Sequence, residues 1–259
     1  MRIARFTTGD EPQYGVVGGA EGDEIVASVV GDPLYAGVEL IGEQAPLADV
    51  RLLAPVIPRS KVVCIGRNYV AHAEELGHDI PEEPLVFLKP NTYVIGPGDP
   101  IVYPRQSSNV HFEGELGIVI GRICRDVPPE RVSDVIYGYT VGNDVTARDL
   151  QETDDQWARA KGFDSFCPLG PWIETDLDPS ELSVRTELNG ELKQDGTTKL
   201  MIFDIPTVVA YITSFMTLLP GDVVLTGTPA GVGPMQVGDD VSVTVEGIGT
   251  LTNKVVSRD

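Results

Sequence analysis

Cysteine is scarce here and its spacing offers no pairs. The 259 residues hold three, Cys64, Cys124 and Cys167. An odd number without a C-x-x-C excludes a disulfide framework and a zinc-thiolate site, and fits a reducing compartment. Positive charge is scarce too. Nineteen Lys and Arg stand against 39 Asp and Glu, a formal net charge of −20. Such a surface repels phosphate backbones and anionic lipid, so neither nucleic acid nor membrane is expected as a partner. An anionic substrate would need a local cluster of cations, or a metal ion, inside that negative shell. No apolar run is long enough for a bilayer span; the best, IPTVVAYITSFMTLLP, is short and carries Thr and Ser. The opening MRIARFTTGDEPQYGVV lacks the apolar core of a signal peptide, and a cytoplasmic location is expected. Fixed-period repeats and low-complexity tracts are missing. The Gly-rich GTPAGVG at 227–233 lacks the GK[ST] ending of a phosphate loop. It is either a tight turn or a place where backbone N–H groups and the Thr228 hydroxyl meet an anion.

What is present suits a folded enzyme. Apolar residues make up 42%, enough for a sizeable core, while 28 Gly and 20 Pro favour many turns and short strands over a helical bundle. Residues 1–55 read as a small unit of short strands (RIARF, GVVGG, EIVASVV) that leads out through the prolines of APVIPRS. Residues 56–259 form the main domain. KVVCIG, PLVFLKP, HFEGELGIVIG and VSDVIYGYTVGNDVT read as strands. NYVAHAEELG reads as a helix stopped at Gly77, DLQETDDQWARAK as a helix over 149–161, and IPTVVAYITSFMTLLPG as a helix ending at its Pro-Gly. Strands dominate without regular βαβ spacing. The class is therefore mainly β with some α (α+β), not a doubly wound sheet.

Chemistry concentrates in HFEGELG. In a strand of period two, Glu113 and Glu115 point to one face, with Cα atoms about 7 Å apart. Crowded carboxylates repel unless a cation or a proton lies between them. The bland alternative, a solvated strand face, is weakened by the buried character of LGIVIG. Asp144, at the end of the next strand in VGNDVTARD, is either a turn-former or a third ligand. Three oxygen donors without Cys suit a hard ion, Mg²⁺ or Mn²⁺, better than zinc; His111 shares the alternation and is an optional nitrogen donor. His72 and Glu75 lie three apart, on one helix face. There the carboxylate would orient the imidazole and raise its basicity. Arg67, Lys89, Arg148 and Lys161 lie near these acids in sequence. Arg grips carboxylates through paired hydrogen bonds, and Lys stabilises oxyanions. Taken singly, each of these cations has a plain surface reading.

Over residues 61–255 the segments IGRNYVAHAEE, FLKP, HFEGELGIVIG, GYTVGNDVTARDLQ, ARAKGFDSFCPLGPW, LPGDVVLTGTPAGVG and VGDDVSVTVEGIGTLTN occur in the order that resembles the fumarylacetoacetate hydrolase family. The resemblance implies a mixed β-roll core behind a small N-terminal β domain, a homodimer, and Mg²⁺ or Mn²⁺ held by Glu113, Glu115 and Asp144. It implies that His72 and Glu75 form a dyad on a helix that orders over substrate, and that Lys161 is the lysine near the metal. Arg148, Gln151 and Thr228 match contacts to substrate carboxylates, and Arg67 and Lys89 are grouped with them as substrate-binding. The implied substrate is a small anionic 2-oxo or enol (di)carboxylic acid. C–C hydrolysis or decarboxylation, of the acylpyruvate hydrolase or oxaloacetate decarboxylase type, is favoured. A 2-hydroxyhepta-2,4-diene-1,7-dioate isomerase is the alternative, and a catalytically silent metal-bound acid-binding protein is the rival of another class.

Overall fold

The runs GELGIVI and IYGYTVGN form the spine of the fold. In the computed structural model, which describes every residue except Asp10, Glu21, His78 and Asp259, the strands Gly114–Ile120 and Ile136–Asn143 pair antiparallel with Gly114 opposite Asn143. Almost every residue of both is buried, which explains why they read as apolar runs rather than alternating ones. Outward from Gly114–Ile120 come Val223–Leu225, then Val62–Gly66 in parallel, then Leu85–Lys89. Outward from Ile136–Asn143 come Cys167–Glu174 and Arg2–Thr7, followed by Gln13–Gly18, Ile25–Val29 and Leu40–Pro46. The first strand of the chain thus continues the large sheet, with Arg2 opposite Glu174.

A second sheet of five strands runs Glu191–Thr197, Ser183–Leu188, Asp240–Val245, Gly249–Ser257 and Ile101–Tyr103. It packs across the spine, so that Leu116, Ile118 and Val141 meet Val184, Val243 and Leu251 in one apolar cluster. Each such side chain contributes about 1.5–3 kcal/mol by leaving water. Strand residues outnumber helical ones, 42% to 18%, and the class is α+β, as the turn-rich composition predicts. Among the described residues no helix is long and apolar enough to cross a membrane. All three cysteines are buried free thiols.

The helix Ile205–Phe215 follows from its sequence. The Asp204 side chain caps it by accepting from Thr207 N–H, and Ile205, Val208, Val209 and Ile212 bury at helical spacing. It ends before the Pro-Gly expected to stop it, because Leu218 pairs with Cys124 and pulls the chain into a β-bridge. The helix NYVAHAEELG holds over Val70–Glu75, and Gly77 turns the chain at φ +69°. The segment 149–161 is not one helix. Only Arg148–Thr153 is helical, and Asp154 is extended. The chain then folds back, through an Arg159–Asp154 ion pair and an Ala147 N–H bond to Ala160 carbonyl, to bury Lys161.

Candidate metal centre and cavity

The strand expected across HFEGELG is interrupted at its first glutamate. Val110–Phe112 belongs to a small sheet with Thr146–Ala147 and Gly233–Pro234, whereas Gly114–Ile120 belongs to the large one. Glu113 sits at the crossing, its N–H donated to the Asn143 side-chain oxygen at 3.0 Å. The two glutamates still converge. One carboxylate oxygen from each of Glu113, Glu115 and Asp144 lies within 4.8 Å of the others, and all three residues are buried. Asp144 arrives from the end of Ile136–Asn143, and its N–H bonds to the Glu113 carbonyl at 2.9 Å.

Cations surround this trio unevenly. Lys161 Nζ bridges Glu113 at 2.8 Å and Asp144 at 2.6 Å. The Arg148 guanidinium pairs with the other Glu113 oxygen and donates to Gln151 at 2.8 Å. Burial alone would push the Glu113 carboxyl up, but Lys161 and then Arg148 outweigh it and hold the carboxyl well below the usual range. Glu115 is the contrasting case. Its carboxylate accepts from Gly227 N–H at 2.7 Å, and among the described residues no cation pairs with it. Burial, then the charges of Asp144 and Glu113, push its carboxyl well above the ordinary value. Burial also opposes the charge on Lys161, yet Asp144 and Glu113 raise its pKa overall.

These groups border a small cavity of about 20 Å³ that opens to solvent. Glu113, Glu115 and Lys161 line it, together with His72, Arg67, Arg148, Gln151 and Thr228. Asp144 stands behind Lys161, 1% exposed. His72 Nδ1 faces Glu75 at 3.4 Å, as the three-residue spacing predicts. Burial, assisted by Arg148, lowers the His72 pKa below 6.5, so the ring is neutral at pH 7. Glu75 also accepts from Gly231 N–H at 3.0 and 3.2 Å, which ties the short helix to the Gly-rich loop. The N–H groups of that loop therefore meet anions of the protein itself.

Residues 61–256 match the family model described as fumarylacetoacetate (FAA) hydrolase C-terminal, and residues 1–55 match the one described as Rv2993c-like, N-terminal. The chain belongs to the fumarylacetoacetate hydrolase family. It is 54% identical to protein Rv2993c of Mycobacterium tuberculosis over 263 residues, covering 100% of this chain and 99% of the relative. It is 41% identical to human mitochondrial oxaloacetate tautomerase FAHD2A over 223 residues, 82% of this chain and 71% of the relative. Among solved structures, a 2-hydroxyhepta-2,4-diene-1,7-dioate isomerase from Mycobacterium marinum is 51% identical with TM-score 0.92, covering 100% of this chain and 99% of that one. A maleylpyruvate hydrolase from Sphingobium sp. SYK-6, solved with manganese(II) and pyruvate, is 32% identical with TM-score 0.81 over the full length of both chains.

A divalent ion of the kind seen in that family member fits the donors present here. All three are carboxylate oxygens, the ligand type of hard cations, and Glu115 is a buried acid with no counter-charge of its own. Two residues counted as substrate contacts from the sequence have their polar groups engaged within the protein, and only Thr228 of the two lines the cavity. Lys89 is 0% exposed and does not reach the cavity wall. Its ammonium donates to the carbonyls of Val145 at 3.1 Å and Phe166 at 2.6 Å. It stands 2.6 Å from Asp144 Oδ1, a charge contact without hydrogen-bond alignment. Thr228 lines the cavity, but its one hydroxyl proton goes to the Gly114 carbonyl at 2.9 Å. His111, optional as a ligand, lies outside the acid trio and bonds Asn109 Oδ1 at 2.9 Å.

Sequence reasoning missed Trp157, which lines the cavity and meets Phe87 edge-on at 5.4 Å. The sequence places it only within the helix expected over 149–161. Its indole packs over Gly66, where a Cβ would come within 2.9 Å of the ring, and no local pattern in the sequence announces that contact.

Proposed function

We propose that this family member is a divalent-metal-dependent enzyme that shifts a proton on a small 2-oxo or enol dicarboxylic acid, acting as a tautomerase or isomerase. The observation that carries the reading is the buried trio of acid oxygens within 4.8 Å, beside a cavity whose wall also presents a neutral histidine. Glu113, Glu115 and Asp144 are the residues that would hold Mg²⁺ or Mn²⁺. When bound, the ion supplies Lewis acidity at the 2-oxo oxygen, which acidifies the adjacent C–H. Lys161 adds fixed positive charge beside Glu113 and Asp144, where negative charge grows on the substrate. Arg148 and Gln151, tied to each other, orient the substrate carboxylate and hold the reacting carbon in place. With Glu75 accepting from Nδ1, His72 Nε2 is left as the base that takes a proton from the carbon beside the keto group and returns it to the oxygen or a further carbon. The names of the tautomerase and isomerase relatives support proton transfer over bond cleavage.

C–C cleavage by hydrolysis or decarboxylation, favoured by the family resemblance in the sequence, becomes the second reading. The His72–Glu75 pair would activate water for the hydrolysis, and the maleylpyruvate hydrolase likeness supports it. The test uses chelator-stripped protein with and without Mn²⁺, following the enol absorbance of oxaloacetate alongside pyruvate release from oxaloacetate and maleylpyruvate. Metal-dependent acceleration of enol–keto exchange without pyruvate is expected. Metal-dependent pyruvate release would replace tautomerisation with cleavage, and equal rates in stripped and restored protein would reject the metal.

A further inference from the structure

Gly114, the residue between the two glutamates, lies where the large sheet runs out. Its neighbour strand Val223–Leu225 pairs only with Gly117–Val119, so the Gly114 N–H and C=O on that side have no strand to meet. Buried backbone groups left unpaired are costly, and side chains take the place of the missing strand. Gln194, 0% exposed on the strand Glu191–Thr197 of the other sheet, accepts from Gly114 N–H at 2.9 Å. Its amide donates to Thr228 Oγ1 at 2.7 Å and to the Pro229 carbonyl at 2.7 Å. Thr228 Oγ1 then donates to the Gly114 carbonyl at 2.9 Å, which closes a ring of hydrogen bonds around this one glycine. The close approach needs glycine: a Cβ at Gly114 would lie 2.2 Å from Thr186 Oγ1 and 3.3 Å from Gln194 Oε1. On the far side of the same loop, Gly227 N–H holds Glu115 Oε2.

We propose that Gln194 is a positioning residue for the metal centre. It locks the Glu113-Gly114-Glu115 backbone to the Thr228–Pro229 loop and so sets where the two glutamate carboxylates stand relative to Asp144. It touches neither cavity nor carboxylate, and acts through Gly114 and Thr228. The amide is suited to this because it offers one acceptor and two donors, and all three are used. The inference rests on the metal reading above.

The experiment measures Mn²⁺ affinity of the metal-free full chain by calorimetry, with thermal melts and steady-state kinetics on the same preparations. Gln194→Met removes all three hydrogen bonds. Gln194→Glu keeps the acceptor and removes both donors, and Thr228→Val opens the ring from the other side. Loss of groups that orient metal ligands typically weakens metal affinity by about 10- to 100-fold, and that loss is expected for Gln194→Met. The rate should fall through kcat more than through KM. The Gln194→Met/Thr228→Val double variant should bind Mn²⁺ little worse than either single one, because both open the same ring. If Gln194→Met does not fold, the other two variants carry the test. Folded variants that bind Mn²⁺ within about twofold of wild type, with only the melting temperature lowered, would make Gln194 structural and overturn the proposal. A wild-type protein that binds no Mn²⁺ would instead overturn the metal reading, and this inference with it.

Discussion

Replacing Lys89 by Met keeps the length of the buried stem and removes only the ammonium, which separates two roles for this residue. In the structure that ammonium serves the Val145 and Phe166 carbonyls and stands against Asp144 Oδ1, with no exposure to solvent. Breaking a buried ion pair from one side costs about 3–5 kcal/mol when the remaining charge stays buried; here Asp144 keeps Lys161 at 2.6 Å, but its Oδ1 and the Val145 and Phe166 carbonyls all lose Lys89. Each orphaned acceptor would add about 1–3 kcal/mol if it could not relax, but the three groups share one donor and these costs do not sum. The cavity contribution is small, since Met fills the stem's volume. A destabilisation of about 3–5 kcal/mol is therefore expected, a large share of the roughly 5–15 kcal/mol that holds a domain folded. Urea unfolding of wild type and variant at one pH, both metal-free, measures it. A loss below about 1 kcal/mol, accompanied by a raised KM, would refute the reasoning and return Lys89 to the substrate-contact role suggested by sequence.

Glu115→Gln separates stability from metal binding at the acid that lacks a counter-charge. Because burial and its acidic neighbours already disfavour the charge, the metal-free variant is expected to melt no lower than wild type while losing most of its Mn²⁺ affinity; a variant that binds Mn²⁺ normally would remove Glu115 from the ligand set. His111 supplies a pH dependence. Burial, then Arg148, lower its pKa from 6.5 to about 4, so between those values the unfolded chain takes up a proton that the native state refuses. Its contribution to stability is complete above pH 6.5 and is lost as the pH falls towards 4. The melting temperature of metal-free wild type should drop across that window more steeply than that of His111→Gln, and parallel slopes would contradict the assignment.

Much of the candidate site was legible because its chemistry is local. Period two in HFEGELG brought Glu113 and Glu115 together, and the three-residue offset of His72 and Glu75 put them on one helical turn. The convergence survived even though the chain changes sheets at Glu113, because one crossing residue keeps the alternation across the break. The helix Ile205–Phe215 was legible from its cap and its apolar stripe, but its end was not, since a β-bridge from Leu218 to Cys124 decides it.

The sequence by itself determined which residue types meet which: oxygen donors at strand spacing, a histidine paired with an acid, and a β-rich class forced by turns and buried runs. Only the tertiary structure decided which way the cations face and what the loop amides hold. Lys89 turns inward to Asp144, Thr228 spends its proton on Gly114, and Gln194 arrives from the other sheet. Local spacing encodes the direction of a side chain relative to its own strand or helix. Its partner across the core depends on how separate sheets pack, and no short stretch of sequence carries that information.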